Sequence, residues 1–231
     1  MVVGNGLLGK AFKQYENDNK VLIFASGVSN SMETDIKAYN RELELLTSFS
    51  NTSKKLVYFS TISVYDPDLQ CSAYVKHKLR MEDYIATEFT NYVIFRLPNV
   101  IGITSNNNTF FNNIKNKLLD AQDIFIKQQA TRYLIDINDL VATIPNIIPQ
   151  ENKTTINACF DNKTSVRDLV KIMATILQVK YREILIPAGS DYSVNNSKFL
   201  SYIPDDSVGL SQNYNYIILN KYLNDNILST K

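Results

Sequence analysis

The residues best suited to chemistry are Tyr74 and Lys78, with Thr61 upstream of them. Tyr74 and Lys78 stand four positions apart in Ala73–Thr87, a stretch whose pattern predicts a helix, so both side chains project from one face. A phenol with an unperturbed pKa of about 10 is a poor base at neutral pH. A neighbouring ammonium favours the phenolate and lowers that value. A phenol tuned in this way exchanges a proton with a hydroxyl or carbonyl, and Thr61, just beyond a predicted strand, would hydrogen-bond the reacting oxygen. Alone, Tyr-x-x-x-Lys is a weak pattern, because a tyrosine packed on a lysine stem reads the same way.

A second motif gives the pair its context. Gly4-Asn5-Gly6-Leu7-Leu8-Gly9 matches G-x-G-x-x-G, follows the apolar Val2-Val3 and opens a predicted helix. Glycines in that place allow a tight turn and close approach of backbone to a pyrophosphate, while the helix start attracts its charge. An ordinary glycine-rich turn is the competing account, and the strand–turn–helix context favours a dinucleotide. A nicotinamide held there would couple proton transfer at Tyr74 to hydride transfer, with Lys78 placed to hold the nicotinamide ribose. One part is missing. The acid that binds a ribose ~20 residues past the glycines has no counterpart in Phe24–Asn30, and Glu16 and Asp18 precede the strand. No arginine pair for a 2′-phosphate is evident either, so little discrimination between NAD and NADP is expected.

The elements that must position these residues follow from apolar periodicity. Strands are expected at Val2-Val3, Val21–Ala25, Lys55–Ser60 and Tyr92–Leu97, the last stopped by Pro98. Helices are expected at Leu7–Tyr15, Thr34–Ser48 and Ala73–Thr87. This alternation is that of an α/β protein, a Rossmann-like parallel sheet with helices on both faces that binds ligands at its carboxyl edge. The second half is less regular. Helices are expected at Phe110–Leu119, Asp139–Ile148, Val166–Leu177 and Tyr214–Leu223, with short strands at Asp123–Lys127 and Tyr133–Ile135. A boundary near Ile103 divides a dinucleotide-binding core, 1–103, from a small α+β substrate-binding region, 104–231, partly interleaved with the core.

Composition narrows the alternatives. At 45 % hydrophobic over 231 residues, the chain can bury a substantial core. A net charge of +1 without a concentrated basic patch argues against a nucleic-acid partner. No apolar run approaches the ~20 residues that span a bilayer, and the chain enters its first strand without a secretory signal, so no membrane and a cytoplasmic location are expected. Cys71 and Cys159 are read as buried small hydrophobes rather than a disulfide or reactive thiols. His77, the one histidine, precedes Lys78 on a different helix face and is expected in solvent. One histidine and two separated cysteines give no metal-site spacing.

Five segments in order, Val2–Gly9, Phe59–Tyr65, Tyr74–Lys78, Arg96–Gly102 and Arg132–Asp139, resemble the extended short-chain dehydrogenase/reductase family, also called the NAD-dependent epimerase/dehydratase family. The resemblance covers positions 2 to 139 and continues weakly through Ile156-Asn157 and Asn196–Lys198. It implies that Thr61, Tyr74 and Lys78 are catalytic. It assigns NAD or NADP to Gly4, Gly6, Leu7, Leu8, Gly9, Phe24, Ala25, Ser26, Ser60, Leu97 and Pro98, together with Tyr74 and Lys78. Asn99 falls at a substrate-side position, and Arg132 matches an arginine that contacts a nucleotide diphosphate, a role suited to a guanidinium. Asp139 is read as a helix cap.

The departures from the family pattern are informative. Val3 occupies the first of its usual three glycines. Only one strand separates the glycine turn from Lys55, so the usual second and third strands are missing and the first strand should lie at or near the sheet edge. The resemblance implies an NAD(P)-dependent oxidoreductase acting on a nucleotide-activated sugar, of the kind used in polysaccharide biosynthesis, and a homodimer built on the helices at Thr34–Ser48 and Ala73–Thr87. A 4-keto-sugar reductase fits best among the subtypes. A 4,6-dehydratase places an acidic pair after the catalytic Thr, where this chain has Ile62 and Ser63, and an epimerase needs a tightly held cofactor. A sugar-nucleotide epimerase or dehydratase, or a non-catalytic nucleotide-binding protein of the same fold, is the alternative.

Overall fold

Apolar runs in the first half of the chain become strands covered on both faces. In the computed structural model, which describes residues 1–228, this half runs β1 (Val2–Val3), α1 (Leu7–Ala11), β2 (Val21–Phe24), α2 (Ile36–Thr47), β3 (Lys55–Thr61), α3 (Ala73–Glu88) and β4 (Tyr92–Leu97). All of β2 is buried, as is β3 beyond Lys55, the continuous burial expected of a parallel sheet between two helical layers. The remainder runs β5 (Asn99–Ile101), α4 (Phe110–Leu119), β6 (Ile124–Lys127), β7 (Thr131–Arg132), β8 (Leu134–Asp136), α5 (Ile137–Ile147), β9 (Thr154–Asn157), β10 (Thr164–Ser165), α6 (Val166–Leu177), β11 (Glu183–Ile186), α7 (Ser197–Leu200) and α8 (Tyr214–Leu228).

Five strands form one parallel sheet in the order β1-β2-β3-β4-β9. β1 is therefore an edge strand, as the sequence predicts, and among the described residues no strand lies beyond it. The opposite edge is β9, which periodicity does not reveal because only Ile156 of its four residues is buried. Outside this sheet, β5 pairs β8 and β6 pairs β11, both parallel, while β7 pairs β10 antiparallel.

Alternate strand residues serve opposite faces. Ile23, Val57 and Val93 pack into a core with Phe12, Leu140 and Ile144. Leu22, Leu56 and Ile94 pack against Leu46 of α2 and Met81 and Ile85 of α3. Asp35 caps α2 by accepting from Lys37 N at 2.9 Å, and Ser72 caps α3 by accepting from Val75 N at 3.2 Å; side-chain oxygens of this kind satisfy amides that have no partner in the first turn.

Several expectations are corrected. The cap of α5 is Asp136, which accepts from Asn138 N at 2.9 Å. Asp139 instead lies in the first turn and accepts from the Tyr214 hydroxyl at 2.5 Å. The helix expected over Leu7–Tyr15 ends at Ala11, and a separate 3-10 turn follows at Lys13–Tyr15. Cys159 is buried, but Cys71 lies exposed in the turn before α3, where no core adjoins it. Among the described residues no helix is long and apolar enough to cross a membrane.

Candidate active site

The carboxyl ends of the central strands open into a cavity of about 750 Å³, within the size range of cofactor and ligand sites. One end is the turn between β1 and α1. Gly4 there has φ 118°, and a side chain would collide with the carbonyl of Ala25 as well as strain the backbone. At Gly6 an added Cβ would meet nothing within 4 Å, so the turn is open toward the cavity. Gly4, Gly6, Leu7 and Leu8 line the space. Gly9 does not. It is buried behind the turn, where a side chain would strike the carbonyl of Gly4, so its role is to let α1 pack close.

The wall continues along Phe24, Ala25 and Ser26 at the end of β2, and along Leu97, Pro98 and Asn99 where β4 passes into β5. Ser60, Thr61, Tyr74, Lys78 and Arg132 complete the set singled out from sequence, and all line the same cavity. Two of these side chains are already engaged. The Ser60 hydroxyl donates to Glu82 at 2.5 Å, and Glu82 also takes Arg96 in a two-pronged pair. Arg132 pairs with the buried Asp66 at 3.3 Å and donates to the carbonyl of Thr131 at 2.7 Å.

Tyr74 and Thr61 are both buried. Thr61 accepts from Ser63 N at 3.0 Å and so starts the turn after β3. Its hydroxyl proton remains available to the Tyr74 side. The Tyr74 phenol is pushed up to about 12, first by burial and further by the charge of Glu42 and the nearby Tyr39, against a hydrogen bond from Thr61 that favours the phenolate. This direction is opposite to the one the Tyr-Lys spacing predicts.

Burial is the first reason, and Glu42, which the sequence reading passed over, adds to it. Lys78 Nζ donates to Glu42 Oε1 at 3.0 Å and to the Tyr58 hydroxyl at 3.1 Å. Glu42 has no exposed surface. It also accepts from the Tyr58 hydroxyl at 2.6 Å, from Val28 N at 2.6 Å, and meets His77 Nε2 at 3.0 Å. Burial opposes its ionisation, but the Lys78 charge and these hydrogen bonds prevail and hold its carboxyl down to about 2. His77, expected in solvent, is buried between Glu42 and the Tyr39 ring, whose centroid lies 4.6 Å away. It is inside because α2 covers the flank of α3 that a lone helix would expose. A signal for Glu42 was present, since it falls between Tyr39 and Leu46 at helical spacing, a carboxylate within an apolar stripe.

No family model and no curated protein matches the sequence. Solved structures do resemble it. A dTDP-glucose 4,6-dehydratase from Bacillus anthracis str. Ames, in complex with NAD, has a TM-score of 0.67 at 15 % identity, over 97 % of this chain and 80 % of that one. RMD from Pseudomonas aeruginosa, complexed with NADPH, has a TM-score of 0.68 at 15 % identity, over 96 % and 97 % of the two chains. A UDP-glucuronic acid 4-epimerase from Bacillus cereus, in complex with UDP-glucuronic acid and NAD, has a TM-score of 0.66 at 19 % identity, over 92 % and 78 %. The chain shares their fold. Among the described residues no group of three or more His, Cys, Asp or Glu side chains is arranged to hold a metal ion.

Proposed function

We propose that this chain is a nicotinamide-dependent oxidoreductase acting on a nucleotide-activated sugar. The observation that carries this reading is the convergence of the open glycine turn, Thr61, Tyr74 and Lys78 on one cavity. The turn fits a pyrophosphate because Gly6 leaves its approach clear and Gly4 adopts a backbone conformation that other residues avoid. A bound nicotinamide supplies or accepts the hydride. The chain's own part is to hold the sugar oxygen against Thr61 and Tyr74 and to move one proton at the Tyr74 hydroxyl. Arg132, which also lines the cavity, suits a sugar-nucleotide diphosphate. The structural neighbours bound to NAD, NADPH or a UDP-sugar support the same reading.

Within that class we assign the chain to the 4-keto-sugar reductases. Ile62 and Ser63 follow Thr61 in place of an acidic pair. The cofactor end of the cavity also sits on an edge strand, an arrangement suited to a cofactor that enters and leaves in each cycle. The test is to mix the protein with NADH or NADPH, follow nicotinamide fluorescence, and then screen nucleotide-linked keto-sugars for loss of reduced-nicotinamide absorbance. Tyr74→Phe should bind the cofactor as before but lose at least ~100-fold in turnover, the lower end of what a positioned proton donor contributes. Full activity in that variant would overturn the assignment of Tyr74.

A further inference from the structure

Glu42 is a buried, fully hydrogen-bonded side chain beside the cavity, and the proposed reaction does not use it directly. Its two oxygens receive Tyr58 and Lys78 on one side, and Val28 N and His77 on the other. A carboxylate has about four lone-pair positions, and here all are taken. Its partners come from β3, from α3 and from the loop after β2, so the side chain cannot turn without breaking contacts to three parts of the fold. The loop also closes tightly over the pair. A Cβ at Gly27 would lie 2.7 Å from Lys78 Nζ and 2.9 Å from Glu42 Oε1.

We propose that Glu42 is a positioning residue that sets this site for carbonyl reduction, by cancelling the charge of Lys78 so that Tyr74 rests as a proton-donating phenol, and by fixing Lys78 so that one N–H remains for the cofactor. The inference rests on the oxidoreductase reading and adds a direction to it. An ammonium has three donors. Glu42 and Tyr58 take two, which leaves one on a residue that lines the cavity.

The charge balance around Tyr74 gives the direction. The titratable groups near it are Tyr39 and Glu42 of α2, Tyr58 of β3 and His77 and Lys78 of α3, with Arg132 also lining the cavity. Arg132 is already paired with Asp66 and Lys78 with Glu42. Arg41, the remaining cation that lines the cavity, is exposed and donates to the Ser26 carbonyl. Among the described residues no uncompensated cation therefore acts on the buried phenol, and a reduced nicotinamide ring would bring none. In the forward step Tyr74 gives its proton to the carbonyl oxygen, whose π electron pair forms the new O–H bond. A reduced nicotinamide held in the cavity would supply the hydride that the carbonyl carbon takes and would itself be oxidised. Tyr74 then recovers a proton from solvent as the alcohol leaves. An enzyme that begins by oxidising a hydroxyl needs the opposite resting state, a phenolate.

The experiment compares wild type with Glu42→Gln in the full chain by two readouts. The first is the pH dependence of kcat in the reductive direction. The second is a 13C NMR titration of the tyrosine Cζ signals, with Tyr74 assigned by its loss in Tyr74→Phe. In Glu42→Gln the charge of Lys78 is no longer cancelled, so both the alkaline limb of kcat and the Tyr74 titration should move to lower pH by about one unit or more, the effect of a neighbouring opposite charge. Glu42→Asp keeps the charge and should restore the wild-type position even if turnover falls. A side chain that is only structural would lower activity or stability and leave both positions where they were, and that outcome overturns the proposal. If Glu42→Gln does not fold, Tyr58→Phe carries the test. It frees Lys78 from half of its clamp and should raise the cofactor KM more than it lowers kcat; equal changes overturn the proposal. The NMR titration needs no turnover. A wild-type protein inactive on every keto-sugar, with Tyr74 still shifted by Glu42→Gln, would refute the keto-sugar reductase reading and leave standing only the control of the Tyr74 proton by Glu42.

Discussion

The two ends of the cavity differ in how firmly their polar groups are held. At the Tyr74 end, Glu42, Lys78, Tyr58 and His77 are buried and satisfy one another. At the glycine-turn end, Ser29, Ser31 and Arg41 are exposed. Arg41 donates to the Ser26 carbonyl at 3.2 Å, and Ser29 accepts from Asn106 at 3.4 Å. The cause is the order of the sheet. The Tyr74 end lies over β2 and β3, inside the sheet and beside α2 and α3, whereas the turn leaves an edge strand with no strand beyond it among the described residues. The chain thus holds the Tyr74 end of the proposed dinucleotide site by buried side-chain contacts and leaves the other end to backbone and solvent.

The largest test of that contrast is Lys78→Ala. Its removal leaves Glu42 buried without its cation, a loss of about 3–5 kcal/mol where one partner of a buried pair is deleted. Turnover should fall further than in Tyr74→Phe, because the proposed cofactor contact goes too. The pH dependence has a definite sign. The Glu42 carboxyl is depressed from 4.5 to about 2 in the folded protein, so its pairing stabilises the fold above the unfolded value and is lost as pH falls through the folded one. The gap between wild type and Lys78→Ala, read from urea midpoints, should therefore be full at neutral pH and shrink from about pH 4.5 toward 2. A gap constant over that window would mean that the pair is not the source of the difference.

Gly4→Ala probes the other end and should do less to stability. The substitution forces a side chain into a left-handed backbone conformation and against the Ala25 carbonyl, a cost on the order of 1–3 kcal/mol. Because the turn must shift to relieve it, binding of reduced nicotinamide, followed by its fluorescence, should weaken while the Tyr74 titration stays in place. Equal damage at both ends would show that they are one mechanical unit and remove the contrast.

Much of this arrangement is legible in the sequence, for definite reasons. β2, β3 and β4 are buried runs, and such runs announce themselves by apolar continuity. Tyr74 and Lys78 share a helix, so a spacing of four fixes their common face. Gly4 and Gly6 belong to a local turn whose demands are backbone demands. What is hidden depends on packing between distant elements. Glu42 reaches Lys78 across 36 positions, and a glutamate on an amphipathic helix ordinarily reads as surface. His77 was judged by its place on one helix, yet α3 is enclosed on two sides, by the sheet and by α2. β9 is half exposed and carries two threonines, so only its neighbour β4 makes it a strand. The inverted environment of Tyr74 follows from the same blind spot, because the spacing shows neither the burial of the phenol nor the anion paired with Lys78.

The smallest expected effect is the choice between NAD and NADP, and it bears most directly on the open end. No acid follows β2 to bind a 2′-hydroxyl, since the stretch from Ala25 to Ser31 is uncharged. Arg41 is the cavity-lining cation with no carboxylate partner among the described residues, and it is exposed. An exposed ion pair contributes about 0.2–1 kcal/mol, so a 2′-phosphate that reached Arg41 would gain only a few-fold. Affinities for the two cofactors should thus agree within ~100-fold, or about 2.7 kcal/mol, and Arg41→Ala should bring them closer without changing the binding of NADH. The measurement is a pair of fluorescence titrations with NADH and NADPH on each variant. A preference above that limit that vanished in Arg41→Ala would show that the open end carries a specific reader after all. The contrast between a held and an unheld end would then give way to two ends held by adjacent residues on different faces of α2, with Glu42 governing one and Arg41 the other.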